Sequence, residues 1–146
     1  MIIRAAEYDD LSSIHELVRE LAIYEKEEAA FTATLEDYES DWDKGIFDAL
    51  VAEDQKQIVG MALYYLTYST WKGRMLYLED FVVLEAYRQL GVGQRLFDAF
   101  LEKANTLECK IVKWQVLDWN QPALKFYQKN NAIIEKGWWN GKIFLR

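Results

Sequence analysis

The chain has one cysteine, one histidine and one proline in 146 residues. A single thiol, Cys109, forms no internal disulfide, and Cys109 with His15 is too little for a Cys/His zinc set. No metal is therefore expected. No apolar run approaches the roughly 18 residues needed to cross a bilayer. The opening residues, Met1 to Arg4, lack a secretory pattern, so a cytoplasmic protein with no membrane partner is expected. Basic residues are also in deficit. The net charge of −7 argues against nucleic acid as a partner, because neutralising phosphates needs a basic surface. It suits a cationic substrate, although on charge alone acidity that merely maintains solubility is the favoured explanation.

Aromatic residues are abundant. Six tryptophans and nine tyrosines exceed what a core of this size needs, which places some of them at a site or an interface. With 51% hydrophobic and 28% charged residues, the composition is globular, and the length predicts one domain over residues 1–146.

The hydrophobic pattern then gives an order of elements. A short strand is predicted at Ile2–Ala5, followed by a helix with Leu11, Ile14, Leu17, Val18 and Leu21 on one face. Thr34 to Asp37 reads as the capped start of a second short helix reaching Trp42. Phe47–Glu53 and Gln57–Thr67 read as a hairpin, and Met75–Leu84 as a further strand. Leu96, Phe97, Phe100, Leu101 and Ala104 have helical spacing. Lys110–Leu117 is expected as a strand, and Asn120 and Pro122 start a last helix. A final hairpin is expected over Ala132–Trp139 and Lys142–Leu145, turning at Asn140-Gly141. The fold class of this order of elements is α/β. His15 beside its stripe suits a solvated or half-packed ring. Cys109 reads as an inert thiol.

Two features of the Met75–Leu101 run are chemical. The first is the adjacent pair Glu79-Asp80 inside an otherwise apolar strand, where carboxylates need a reason to be. A regular strand points neighbours to opposite faces; a bulge would bring both into one cleft. The second is Arg88-Gln89-Leu90-Gly91-Val92-Gly93, which leads into a helix. Glycines allow close backbone approach, and a helix N-terminus offers amide donors to a phosphate. The same glycines also suit an ordinary strand–turn–helix connection. A Walker loop is excluded because Gln94 and Arg95 follow Gly93 where Lys and Ser/Thr are needed. A dinucleotide fingerprint is excluded by Leu96 at its third small position and by its place late in the chain.

Arg-x-x-Gly-x-Gly after an apolar strand resembles the acetyl-CoA loop of the GNAT acetyltransferase superfamily. The phrase Leu78 to Val83, with Tyr87, Arg88, Gly91 and Gly93, is closest to its spermidine/spermine (diamine) branch. Supporting phrases run along nearly the whole chain: Leu21 to Glu25, Ala62 to Tyr68, Trp71, Asp118 to Pro122, and Phe126-Tyr127. The resemblance implies a GNAT-like single domain, one layer of mixed, mostly antiparallel central sheet with helices on both faces, and acetyl-CoA as cosubstrate. The expected activity is acetyl transfer to a primary amine of a polyamine, diamine or lysine-like amino acid, by direct attack in a ternary complex. A protein or peptide acetyltransferase and a non-catalytic acyl-CoA-binding module are the alternatives.

On the same resemblance, Glu79 accepts the amine's proton and Tyr127 protonates the leaving thiolate. Phe81, Val82 and Val83 contact the acetyl and pantetheine groups. Arg88, Gln89, Leu90, Gly91, Val92, Gly93 and Gln94 hold the pyrophosphate, and Asn120 anchors the pantetheine arm or caps its helix. By their position alone, and not by the resemblance, Lys125 or Lys129 would meet the 3′-phosphate. Tyr24, Glu25, Trp71, Glu79, Asp80 and Trp138 line the amine channel, with Glu135 as a further candidate. The chain departs from the pattern at Asn131, where a glycine is usual, and in stopping at Arg146. A homodimer is expected, paired through strand edges and the aromatic C-terminal segment.

Overall fold

A computed structural model describes residues 1–145. The chain divides into two compact units, Met1–Trp114 and a second beginning at Gln115.

The first unit is a five-stranded sheet with strands in sequential order. β1 (Ile2–Ala5), β2 (Asp48–Asp54), β3 (Gln57–Ser69) and β4 (Gly73–Val83) are antiparallel neighbours. β5 (Ile111–Trp114) runs parallel to β4. The mixed, mostly antiparallel sheet expected from the sequence is therefore present. Alternation along the strands makes two apolar faces. Ala49, Val51, Met61, Leu63 and Val82 pack with Leu11, Ile14 and Leu17 of α1 (Leu11–Tyr24). Tyr38 and Trp42 of α2 (Leu35–Asp43) cover the same cluster. On the other face Tyr64 meets Phe100, and Phe81 meets Phe97, both rings of α3 (Val92–Thr106). Gly60 permits that approach: a Cβ there would lie 3.1 Å from Leu96 Cδ1 and 3.2 Å from the Val82 carbonyl oxygen.

α2 is short, and both of its ends are tied. Thr34 Oγ1 accepts from the Asp37 N–H while Asp37 Oδ2 accepts from the Thr34 N–H, a reciprocal capping box. At the other end Gly45 is left-handed (φ +70°). The Ile46 N–H donates to the Asp41 carbonyl and the Gly45 N–H to that of Trp42, which is a Schellman stop. The Ile46-Phe47 step into β2 is thereby pinned.

The second unit contains α4 (Gln121–Lys129), capped by Asn120 with Pro122 in its first turn. The expected final hairpin is not there: residues 132–145 form no strand. A two-residue turn at Asn140-Gly141 would need positive φ at both, yet the positive φ in this stretch falls at Gly137. The Asn140 side-chain oxygen Oδ1 instead accepts from Gln115 Nε2 at 2.7 Å. The strand before α4 is also shorter than expected, ending at Trp114 instead of Leu117.

Candidate active site

The pairing of β3 with β4 puts Glu79 and Asp80 on one face. Leu63 lies opposite Asp80, but the next residue, Tyr64, lies opposite Leu78. Glu79 is the extra residue of a bulge, which lets two consecutive carboxylates serve the face that carries α1 and α2. Both line a cleft of about 230 Å³ with Asp37, Tyr38 and Asp41 of α2, Phe47, and Leu63 and Tyr65 of β3. Four carboxylates and three aromatic rings meet there, and no Lys or Arg lines it.

Glu79 is exposed and accepts from the Tyr65 hydroxyl at 2.7 Å. Tyr65 in turn stacks on Tyr77, with ring centroids 5.5 Å apart. Asp80 is half-buried. Burial, then the negative charges of Glu79 and Glu25, push its carboxyl from 3.8 up to about 7. Burial and then Glu27 raise the Glu25 carboxyl. The same neighbourhood raises the Tyr38 hydroxyl, through burial and then Asp80 and Glu79. The cleft resists adding negative charge and is suited to receiving a cation.

β4 is paired with β5 only as far as Leu78 opposite Trp114. From Glu79 to Val83 no β5 residue runs beside it, so the two parallel strands part at the bulge. The side chains expected to touch a cofactor here turn inward. Phe81 packs on Phe97, and Val82 is buried in the α1 cluster. What this stretch presents to a ligand is main chain.

The loop after β4 is open. Arg88, Gln89, Leu90 and Gly91 are exposed, with Gln89 (φ +67°) and Gly91 (φ +81°) left-handed. Gly91 is the N-cap of α3, whose first-turn amides have no carbonyl partner inside the helix. A Cβ on Gly91 would meet nothing within 4 Å, so the glycine there serves backbone conformation rather than space. Arg88 Nε donates to the Val83 carbonyl at 3.0 Å, and its guanidinium sits 5.7 Å from the centre of the Tyr24 ring.

The remaining expected residues are distributed as follows. Glu25 joins the acidic neighbourhood of Asp80. Trp71, in the β3–β4 connection, is 87% exposed and does not line the cleft. Asn120, Tyr127 and Trp138 belong to the second unit. Asn120 Oδ1 accepts from the Ala123 N–H at 3.3 Å, the capping role. Tyr127 is buried, with its ring edge-on to Phe126. Trp138 is exposed. His15 is half-packed, as expected: its Nε2 bonds the Ala33 carbonyl and its ring meets Phe31 and Tyr38. Burial raises the Cys109 thiol, consistent with an inert side chain. Among the described residues no three His, Cys, Asp or Glu side chains converge to hold a metal.

Sequence reading missed Asp37, Tyr38, Asp41 and Phe47. One signal was available: Asp37 and Asp41 are four apart on a helix and share a face. Nothing local showed that this face meets the β4 bulge.

A sheet whose parallel strands part at a bulge, beside an exposed turn and an acidic cleft, is the arrangement expected of an acetyltransferase domain of the GNAT class. The chain matches the Acetyltransferase (GNAT) family over residues 11–132 and belongs to it. It is 38% identical over 148 residues to the human (Homo sapiens) spermidine/spermine N(1)-acetyltransferase-like protein 1, covering 93% of this chain and 21% of that protein. The chain thus spans about a fifth of that relative's length. It is 37% identical over 142 residues to thialysine N-epsilon-acetyltransferase of Bos taurus, covering 90% and 84% of the two chains. A solved aminoglycoside N-acetyltransferase in complex with CoA superposes with a TM-score of 0.78 at 17% identity, covering 97% and 93%. At that identity the likeness is one of fold.

Proposed function

We propose that the chain transfers acetyl from acetyl-CoA to a terminal primary amine of a small diamine, polyamine or lysine-like amino acid, by direct attack in a ternary complex. The observation that carries this reading is the bulge at Glu79, which aims two adjacent carboxylates into a cleft of acids and aromatic rings. Cation–π and ionic contacts both favour a flexible alkyl ammonium there. The two relatives' names, spermidine/spermine and thialysine, are of the same substrate class.

An alkyl ammonium, with a pKa near about 10, must lose a proton before its nitrogen can attack. Glu79 and Asp80 take that proton as a coupled pair. Asp80, at about 7, supplies a basicity matched to neutral pH, and Glu79 holds the departing charge in the cleft. Acetyl-CoA supplies an activated acetyl thioester when bound. The main chain of Phe81, Val82 and Val83 would orient it. Arg88 and the amides of Gln89, Leu90, Gly91, Val92, Gly93 and Gln94 are suited to its diphosphate. Tyr127 is the proposed proton donor to the departing thiolate, on the strength of its place after Asn120-Gln121-Pro122.

We also propose a homodimer. Ile133, Trp138, Trp139, Ile143, Phe144 and Leu145 are all at least 80% exposed, a concentration of apolar side chains that an isolated soluble chain rarely shows. Of the described helices, none is long and apolar enough to cross a membrane, and a cytoplasmic location is retained as part of the proposal.

The test is thiol release from acetyl-CoA with diamines, triamines, diamino acids and basic peptides as acceptors. Release with the small amines and little with peptides is expected. Release with peptides alone would replace the reading with that of a protein acetyltransferase. Release with none would leave a binding module.

A further inference from the structure

Two tyrosines line the acidic cleft, Tyr38 from α2 and Tyr65 from β3, and their hydroxyls are differently committed. That of Tyr65 donates to Glu79 at 2.7 Å. That of Tyr38 makes no hydrogen bond with any described residue. It nevertheless stands in the field of the carboxylate pair. Burial, then the charges of Asp80 and Glu79, raise it, so it stays protonated and neutral at any working pH. The mechanism proposed above leaves this hydroxyl without a task.

The Tyr38 ring is held from outside the cleft. His15 of α1 meets it edge-on with ring centroids 4.9 Å apart, and Phe47 does the same at 5.7 Å. His15 does not line the cleft itself. Its Nε2 bonds the Ala33 carbonyl at 2.8 Å, and a carbonyl only accepts, so the proton is on Nε2. Ala33 lines the cleft as well. One imidazole therefore ties both the Tyr38 ring and the chain ahead of α2 to α1. The chemistry of the acceptor suits this arrangement. A primary ammonium has three N–H donors. Glu79 and Asp80 take two of them, and a neutral oxygen takes the third without adding charge to a cleft that already resists it. The free amine left after proton loss still has an N–H for that oxygen.

We propose that Tyr38 is a further acceptor-binding residue, its hydroxyl oxygen accepting an N–H of the amine that is to be acetylated, and that His15 is the positioning residue that holds it there. This rests on the acetyl-transfer reading above and adds to it a contact with the reacting nitrogen.

The experiment measures thiol release from acetyl-CoA with putrescine as acceptor in the wild type, Tyr38→Phe, His15→Leu and the double variant, with thermal unfolding of each. Phenylalanine keeps the ring and its edge contacts, so the Tm of Tyr38→Phe should hardly move. Its KM for putrescine is expected to rise about tenfold or more, the range of a hydrogen bond to a charged group. Its kcat and its KM for acetyl-CoA should stay nearly unchanged, because the contact is made before and after proton loss. The acid limb of its pH profile should stay in place, since a neutral group has been removed. His15→Leu is expected to raise the KM for putrescine in the same direction. The double variant should be no worse than Tyr38→Phe alone, as for two residues acting through one contact. An unchanged KM for putrescine in Tyr38→Phe overturns the contact, and so does a shifted acid limb, which would mean that Tyr38 acts on Asp80 and not on the amine. Effects of the two substitutions that multiply in the double variant, or a lowered Tm in His15→Leu with unchanged kinetics, overturn the positioning role. The contact itself is decided by Tyr38→Phe, whatever the fate of His15→Leu. No transfer to putrescine in the wild type overturns the acetyl-transfer reading, and this assignment with it.

Discussion

Replacing Asp80 with asparagine is expected to make the protein more stable at pH 8 and a far poorer enzyme. In the folded chain the carboxyl sits at about 7 against an ordinary 3.8, because burial and the charges of Glu79 and Glu25 oppose its ionisation. Between those two values the folded protein binds a proton that the unfolded chain has released. The native state therefore loses stability as pH rises from about 4 to 7, and above 7 the full cost of ionising Asp80 is present. That cost is at most about 4 kcal/mol, and solvent reaching Glu79 reduces it. Asparagine keeps the shape and removes the charge. Thermal unfolding of the two proteins at pH 5 and pH 8 isolates this contribution, since every other titrating group is common to both. The gap in favour of Asp80→Asn should widen at pH 8. Equal Tm differences at the two pH values would mean that Asp80 titrates normally. In the same variant kcat/KM for a diamine should fall about a hundredfold or more, the range of a positioned base, and the decline of wild-type activity below pH 7 should disappear.

The second large effect is expected at Tyr127. Phenylalanine retains the ring that packs edge-on against Phe126, so the fold should persist while the hydroxyl is lost. A proton donor to a thiolate acts only as the carbon–sulfur bond breaks. Its removal should therefore lower kcat about a hundredfold or more and leave the KM for acetyl-CoA nearly unchanged. A rise in KM at normal kcat would make Tyr127 a binding group, and an unchanged enzyme would remove it from the chemistry.

Much of this arrangement can be read from local pattern. The stripes of α1 and α3, the Thr34 cap and the positions of β1 to β4 follow from spacing and capping chemistry, and the limits of those four strands are observed within one or two residues of the expected ones. The acidic pair in an apolar strand was itself a sign of a site. Its geometry was not readable, because a bulge is defined by two strands: only the register of Leu63 and Tyr64 against Asp80 and Leu78 shows that Glu79 is the extra residue. Asp37 and Asp41 were missed for the same kind of reason, since the docking of α2 is decided by Tyr38 and Trp42 meeting the core and not by α2's own sequence. The C-terminal segment shows the converse error. Alternating apolar residues around Asn140-Gly141 satisfy every local rule for a hairpin, but a two-stranded ribbon is marginal without a further partner, and the chain there stays outside any ladder.

The most direct test of the central claim joins the bulge to the chemistry. Amine-dependent thiol release from acetyl-CoA is measured for the wild type and for the double variant Glu79→Gln, Asp80→Asn, across pH 6 to 10. The wild type should be active near neutrality. The double variant should be at least about a hundredfold slower there and recover only as the amine itself deprotonates toward pH 10. Equal rates and equal pH profiles in the two proteins would contradict the assignment of the cleft as the place where the amine is activated.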